Sequence, residues 1–392
     1  LVTSATGTRR WPTGDSYSQW LRRILAAPSE PGRPTYTLFD SSTAEPVALL
    51  TETIAKAFAA PVTSRYQSAF AGGNPLVMAA LAARYEIDER RILCTAGATS
   101  ALSVVFRTYL APGDHVLIET PGFDLFEDIA ASIGAEIGFF ERIGDRATID
   151  LAALADAIRP NTRLIVLSDL HNPTGMPLDA ATLAGIAALA AARGVDVIVD
   201  EVYREYAHAP ATTAAHVAPN VIAINSLTKV YGLSGLRCGW ILADPSRIEP
   251  IRIVHARLEF ATSKITHTIA ALVLEDTAPF EAHWRAMLDA ARPIVEERFS
   301  GWRAAGLVRG ALPDHGCVCF PELVGIADTR AFCEWLAEHY GVIVAPGEYF
   351  GKPGHVRLGF STDPAPLAIA LDLLGEGLAS YRAATATTAM AG

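Results

Sequence analysis

The residue with the most chemistry to offer is Lys229, in Ser226-Leu227-Thr228-Lys229, which ends the apolar run from Val221 to Ile224. Burying an ammonium among apolar, Gly-flanked chain is costly unless it is paired or neutralised. A lysine so placed is a candidate for Schiff-base chemistry, although taken alone it reads more readily as a surface-loop lysine. Further features give it company. Gly97-Ala98-Thr99-Ser100 stands between a strand pattern and a helix pattern. Free backbone N–H groups at such a helix start, with small residues and hydroxyls, suit a phosphate; a plain N-cap at Thr99 or Ser100 fits as well. Asn172-Pro173-Thr174-Gly175 follows the run Leu164 to Ser168. It is a turn, or Asn172 donates a hydrogen bond to a phenolate oxygen. Asp200 closes the run Val195 to Val199, apolar apart from Asp196, and a carboxylate there needs a partner. That partner is a helix start or a protonated heteroaromatic nitrogen, with Tyr203 three residues further on. Ser226 and Arg237 suit a phosphate dianion. Arg357, in Val356-Arg357-Leu358-Gly359-Phe360, is either a surface residue on an alternating strand or a bidentate grip for a carboxylate.

The elements around these residues are those of a layered α/β protein. Seven strands are expected, at 92–95, 116–119, 137–140, 164–168, 195–200, 221–225 and 239–242, separated by Ala/Leu-rich helical segments such as 99–110, 123–133, 151–158 and 178–192. Apolar strands joined by helical crossovers indicate a mostly parallel sheet buried on both faces. Ligands bind beyond the carboxyl ends of such strands, where Asp200, Asn225 and the turn carrying Lys229 fall. After Pro245 the pattern becomes α+β, with long helices at 247–275 and 282–299, short strands at 317–320, 342–344 and 355–359, and helices at 329–339 and 364–381. The expected division is an arm and part of a smaller domain at 1–45, a large domain at 46–275 and a small domain at 276–392. Residues 1–15 read as irregular, 19–25 as a short amphipathic helix, 28–34 as a Pro-rich linker and 383–392 as a disordered tail.

Composition excludes several classes. A formal charge of −10 with no basic cluster argues against a nucleic-acid partner. No apolar run is long enough to span a bilayer, and the N-terminal residues lack a signal-peptide core. The five cysteines, Cys94, Cys238, Cys317, Cys319 and Cys333, are odd in number and lack CxxC spacing. Neither a disulfide framework nor a metal site is expected, and a reducing cytoplasm fits free thiols.

Taken together, the motifs resemble those of the fold-type I pyridoxal-phosphate enzymes, specifically the class I/II aminotransferase family. Asn-Pro-x-Gly, Asp-x-x-Tyr, Ser-x-x-Lys, Gly-x-Arg-x-Gly and a late arginine occur in that order, over roughly residues 35 to 380. The resemblance implies a large domain with a mostly parallel seven-stranded sheet flanked by helices, plus a smaller α+β domain. It implies pyridoxal 5'-phosphate as cofactor, joined to Lys229, which also moves the substrate proton. Asp200 would hold the ring nitrogen protonated, Asn172 and Tyr203 the phenolic oxygen, and Phe123 the ring face. Gly97, Ala98, Thr99, Ser226 and Arg237 would hold the phosphate, with Tyr66 reaching it from a partner subunit in a homodimer with shared sites. Arg357 would clamp the α-carboxylate of an amino acid or 2-oxo acid, and Asp40 and Ser41 would face the substrate. The segments 340–351 and 357–361 are also similar to those of capreomycidine-synthase-like members, which cyclise their substrate; there Asp40, Glu45 or Glu348 would meet a guanidinium.

Overall fold

The computed structural model describes residues 16–26, 34–59, 65–70, 72–207 and 211–391, and the backbone of 2–3 and 9–10; of 385–391 only the backbone is described. The expected linker at 28–34 lies almost wholly outside these residues. So does most of the arm at 1–15, although Val2–Thr3 pairs antiparallel with Arg9–Arg10 instead of remaining irregular.

All seven expected strands form, in one sheet. Its order is Ile92–Thr95, Gly239–Leu242, Val221–Ser226, Asp196–Asp200, Thr162–Ser168, His115–Thr120 and Glu136–Ile143. An eighth, two-residue strand, Thr148–Ile149, turns back on the last of these. Five of the seven pair in parallel; Gly239–Leu242 runs antiparallel to both of its neighbours. Side chains alternate between two apolar layers, as the period of two requires. Leu117, Ile165, Leu167, Val197 and Val199 enter one core. Val116, Ile118, Leu164, Val166 and Ile198 enter the other. The helix Ala180–Ala191 covers the first face through Leu183, Ile186 and Ala190. Ala98–Tyr109, Asp124–Ile133 and Pro245–Leu258 cover the second.

Helix ends follow local chemistry. Asp179 accepts from Thr182 N–H at 2.8 Å and so caps Ala180–Ala191. Asn74 caps Pro75–Tyr85, with proline at the first helical position. The single helix expected over 247–275 is two, Pro245–Leu258 and Lys264–Glu275. Phe260 takes a left-handed φ of 60° between them, and Ser263 caps the second. The tail expected to be disordered instead prolongs the helix Pro364–Ala391, since its alanines are strong helix formers.

Beyond residue 275 the long helix Ala278–Ala304 leads into a three-stranded sheet ordered Val318–Cys319, Val356–Gly359, Ala345–Pro346. Tyr36–Thr37 pairs in parallel with Val342–Ile343. Gly359 N–H donates to Leu38 O at 2.7 Å, which lays the segment after Tyr36–Thr37 along the strand carrying Arg357. Only glycine permits this approach: a Cβ at Gly359 would sit 1.5 Å from Asp40 O. Residues 36–40 are thereby brought against the strands of the C-terminal part.

Candidate active site

Asp200 ends its strand opposite Ser168 on one neighbour and Ile224 on the other. Asn172 follows the end of Thr162–Ser168, and Lys229 follows the end of Val221–Ser226. The carboxyl ends of three adjacent parallel strands thus deliver a carboxylate, an amide and an amine to one place, as the architecture favours. There they line a cavity of about 420 Å³ together with Phe123, Tyr203, Arg357, Asp40 and Ser41. A roomier cleft of about 630 Å³ lies against the helices Pro75–Tyr85, Lys264–Glu275 and Ala278–Ala304, and contains none of the expected site residues. Its charged groups are already paired: Arg84 with Glu205 and Glu281, Arg285 with Glu281, and Glu275 with Arg65.

Lys229 Nζ donates to Ser41 Oγ at 3.1 Å and Ser42 Oγ at 3.3 Å, and stands 5.9 Å from the Tyr203 ring centre. Its backbone carbonyl accepts from Thr43 N–H at 2.9 Å and from Tyr206 O–H at 3.1 Å. The segment 40–43 is therefore fastened alongside Lys229. Asp200 is buried, and its Oδ1 accepts from Val202 N–H at 3.1 Å. Burial pushes its carboxyl up to about 7; nearby Glu119 adds to this, while the Val202 N–H and Lys229 oppose it. A carboxylate so placed is short of a cation.

Asn172 is held from behind. Ser168 Oγ accepts from Asn172 N–H at 2.9 Å, and Ser168 in turn donates to Glu119 Oε1 through N–H at 2.8 Å and Oγ–H at 2.5 Å. Glu119 pairs with Arg142 at 2.8 Å, both fully buried. Arg142 also donates to Ser168 O at 2.8 Å and Ala147 O at 3.2 Å. On the cavity side Asn172 Oδ1 accepts from Arg357 Nη1 at 2.9 Å. That leaves the amide NH₂ as the end free to donate.

Gly97, Ala98, Thr99, Ser226 and Arg237 do not line this cavity; they gather beside it. Gly97 precedes the helix Ala98–Tyr109 with φ 94°, and a Cβ there would lie 2.4 Å from Arg237 Nη2. Arg237, itself left-handed at φ 45°, donates to Ala96 O at 2.9 Å. Ser226 Oγ accepts from Thr228 N–H at 3.3 Å. A guanidinium at a helix start, in space that a side chain would fill, suits an anion. Thr228 and Ser234, between Ser226 and Arg237 in the chain, do line the cavity. With the cation-short carboxylate at one end and this cradle at the other, the residues fit a phosphorylated pyridine. Tyr66 is elsewhere, on the surface, with Lys264 Nζ 4.4 Å over its ring.

Of the acids weighed for a guanidinium, only Asp40 lines the cavity. Glu348 turns away and accepts from the Thr329 N–H at 2.9 Å and its hydroxyl. Glu45 is not among the lining residues.

Several contributors escape the sequence reading. Ser42 lies next to an expected residue and could have been included with it. Tyr17, Leu21 and Leu25, on the helix Tyr17–Ala26, wall the cavity but carry no motif. Glu119 reads as an ordinary strand residue, and Arg142 lies just past an expected strand, with no motif to mark it.

The family profile "Aminotransferase class I and II" matches residues 38–374. The chain belongs to this family and is a pyridoxal-5'-phosphate-dependent enzyme. It is 27% identical over 315 residues to a capreomycidine synthase of Streptomyces vinaceus, covering 79% of this chain and 80% of the relative. It is 30% identical over 301 residues to a probable N-succinyldiaminopimelate aminotransferase of Mycobacterium tuberculosis, covering 72% and 74%. A crystal structure of a PLP-dependent aminotransferase from Streptococcus suis superposes with a TM-score of 0.81 at 25% identity, covering 93% of this chain and 96% of that one. The family expected from the motifs, the fold type and the cofactor are thus borne out. No helix among the described residues is long and apolar enough to cross a membrane.

Proposed function

We propose that the protein moves the amino group of an L-amino acid to a 2-oxo acid, with Lys229 as the amine that joins the cofactor and carries the proton. The observation that carries this reading is one cavity lined together by Lys229, by Asp200 with its cation-short carboxyl and by Arg357 with its buried guanidinium. When bound, the cofactor supplies an aldehyde for an amine and a ring that draws electrons from the bond to be broken. The rest falls to this chain. Asp200 keeps the ring nitrogen protonated. Asn172 and Tyr203 donate to the phenolic oxygen, and Phe123 covers the ring face. Gly97, Ala98, Thr99, Ser226 and Arg237 hold the phosphate. Arg357 takes the α-carboxylate, and this orients the substrate; such positioning contributes several kcal/mol, up to roughly 7–11 in ideal cases. Ser41 and Ser42 hold Lys229 Nζ in place between proton transfers.

The same reading places Tyr66 at the phosphate of a second copy, in a cytoplasmic homodimer with shared sites. Phe70 and Phe260, 60% and 68% exposed and stacked edge to face at 4.9 Å, offer an apolar surface near Tyr66 for that copy. Five buried, unpaired cysteines support a reducing compartment. The smaller lobe, in this reading, joins 1–45 to 276–392, a grouping favoured by the pairing of Tyr36–Thr37 with Val342–Ile343.

One alternative is favoured by particular observations: elimination or cyclisation of a basic amino acid, suggested by the capreomycidine synthase relative and by Asp40 in the cavity. A spectral screen of the purified holoprotein against a panel of amino acids separates the two. Transfer predicts that one amino acid bleaches the cofactor's visible band and that only a 2-oxo acid restores it. A band that returns unaided, with a cyclised or dehydrated product, would overturn the transfer reading.

A further inference from the structure

Arg357 is a buried cation that makes no salt bridge among the described residues; Asp40, in the same cavity, acts on it only from beyond ion-pair distance. It is 1% exposed, and its three hydrogen bonds go to neutral acceptors: Asn172 Oδ1 at 2.9 Å, Tyr17 OH at 2.6 Å and Phe39 O at 3.1 Å. Its Nε has no partner. The rings of Phe350 and Tyr17 lie 4.7 and 5.0 Å from its guanidinium carbon. A guanidinium has donors only, so Tyr17 OH accepts in this pair, and the phenol's own proton remains to be given elsewhere. Burial raises the Tyr17 pKa above its ordinary value against the opposing pull of Arg357 and Lys229, so that proton is retained at neutral pH.

The hydroxyl is also held in place. Tyr17 N–H donates to the buried carboxylate of Asp124 at 2.7 Å. Its ring stacks on Trp20 at 5.5 Å and packs against Phe350 at 5.6 Å and Tyr349 at 6.2 Å. The helix Tyr17–Ala26 thus enters the site by its first residue, with Asp124 and the aromatic cluster fixing the angle.

We propose that the Tyr17 hydroxyl is part of the carboxylate grip: a substrate carboxylate is bound jointly by Arg357 and by the Tyr17 O–H. This rests on the reading of Arg357 as the carboxylate site. It makes the N-terminal helix a component of substrate recognition as well as a wall. Substrates lacking the carboxylate gain nothing from Tyr17.

The test is calorimetric titration of the holoprotein with 3-phenylpropanoate and, separately, with 3-phenylpropanamide. Wild-type protein binds the acid in preference to the amide. Tyr17→Phe keeps the ring and removes both the proposed donor to the carboxylate and the acceptor for Arg357 Nη2; only the first is specific to an acid, so the acid is expected to weaken by about tenfold or more while the amide stays within about twofold. In steady state the same variant raises KM for the amino donor more than it lowers kcat. An unchanged affinity for the acid, an equal loss for acid and amide, or a wild-type protein without the preference overturns the proposal. A protein that shows the expected pattern but transfers no amino group overturns the transfer reading instead, and leaves Tyr17 at the carboxylate.

Discussion

The two ends of the cavity are built on different principles. At the cofactor end, Asp200 closes a strand paired on both sides, and Asn172 and Lys229 follow the ends of its two neighbours, in a sheet buried on both faces. At the substrate end, Tyr17, Asp40, Ser41, Ser42 and Arg357 come from opposite extremes of the chain. They meet through two-residue strands, a ten-residue helix and the glycine contact at Gly359. Few backbone hydrogen bonds cross between these segments, and regions of that kind open at lower free energy than a central sheet. The chemistry is thus fixed by the rigid end, while the choice of substrate is left to the end that is cheaper to alter.

Removing the amine at the rigid end is expected to have the largest effect. Lys229→Ala deletes the group that joins the cofactor and carries the proton, and turnover should fall by roughly 10⁴-fold or more. The visible band that depends on the joined amine disappears with it. An unchanged spectrum would remove the cofactor end from the comparison altogether.

Next comes the pair behind Asn172. Arg142→Leu leaves the Glu119 carboxylate buried, with Ser168 donating to it and His171 Nε2 3.8 Å away. Breaking one side of a buried ion pair costs about 3–5 kcal/mol. For a chain of this size that lowers the melting temperature by about 4–6 °C in a thermal scan. The double variant Glu119→Leu with Arg142→Leu removes the stranded charge and should recover part of the loss. If the single variant melts as wild type does, the cofactor end does not depend on its buried layer.

The contrast also explains what could be read from residues alone. Asp200, Asn172 and Lys229 each end an apolar run, and a polar residue ending such a run betrays its place at a strand end. All seven strands were legible for the same reason. The helix break at Phe260 was not, because the surrounding segment keeps a helical pattern and the interruption lies in one backbone angle. Nor was Tyr17: its helix shows an ordinary amphipathic period, and only tertiary packing brings its hydroxyl to Arg357. Glu348 was misplaced because its nearness to the site in sequence says nothing of its direction. In three dimensions it holds the start of the helix Thr329–Tyr340.

A smaller effect should distinguish the two ends by pH. Burial pushes the carboxyls of both Asp200 and Asp124 up to about 7. A carboxyl whose folded pKa exceeds its unfolded value binds more protons when folded. Its contribution is therefore fullest below about pH 4 and is lost as pH rises toward 7, by roughly 1–3 kcal/mol. Asp124→Asn should flatten that slope equally with and without cofactor. Asp200→Asn should flatten it only in cofactor-free protein, because a ring cation beside Asp200 already keeps the native carboxyl ionised. Urea titrations from pH 4 to 8, with and without pyridoxal 5'-phosphate, check both; an Asp200 slope indifferent to cofactor would place the ring nitrogen elsewhere.

The smallest expected effect lies at the mouth of the substrate end. Leu25 is 69% exposed yet lines the cavity, one helical turn beyond Leu21. Its burial contributes little to folding, so Leu25→Ala should change stability by no more than about 0.5 kcal/mol. A long apolar donor side chain would still lose contact area there, and an apolar methylene or two is worth about 1 kcal/mol. KM should therefore rise about threefold to fivefold for long-chain donors and stay level for alanine. Equal effects on both would mean that the side chain leaves the cavity by another route, and that the Tyr17–Ala26 helix meets the substrate only through its first residue.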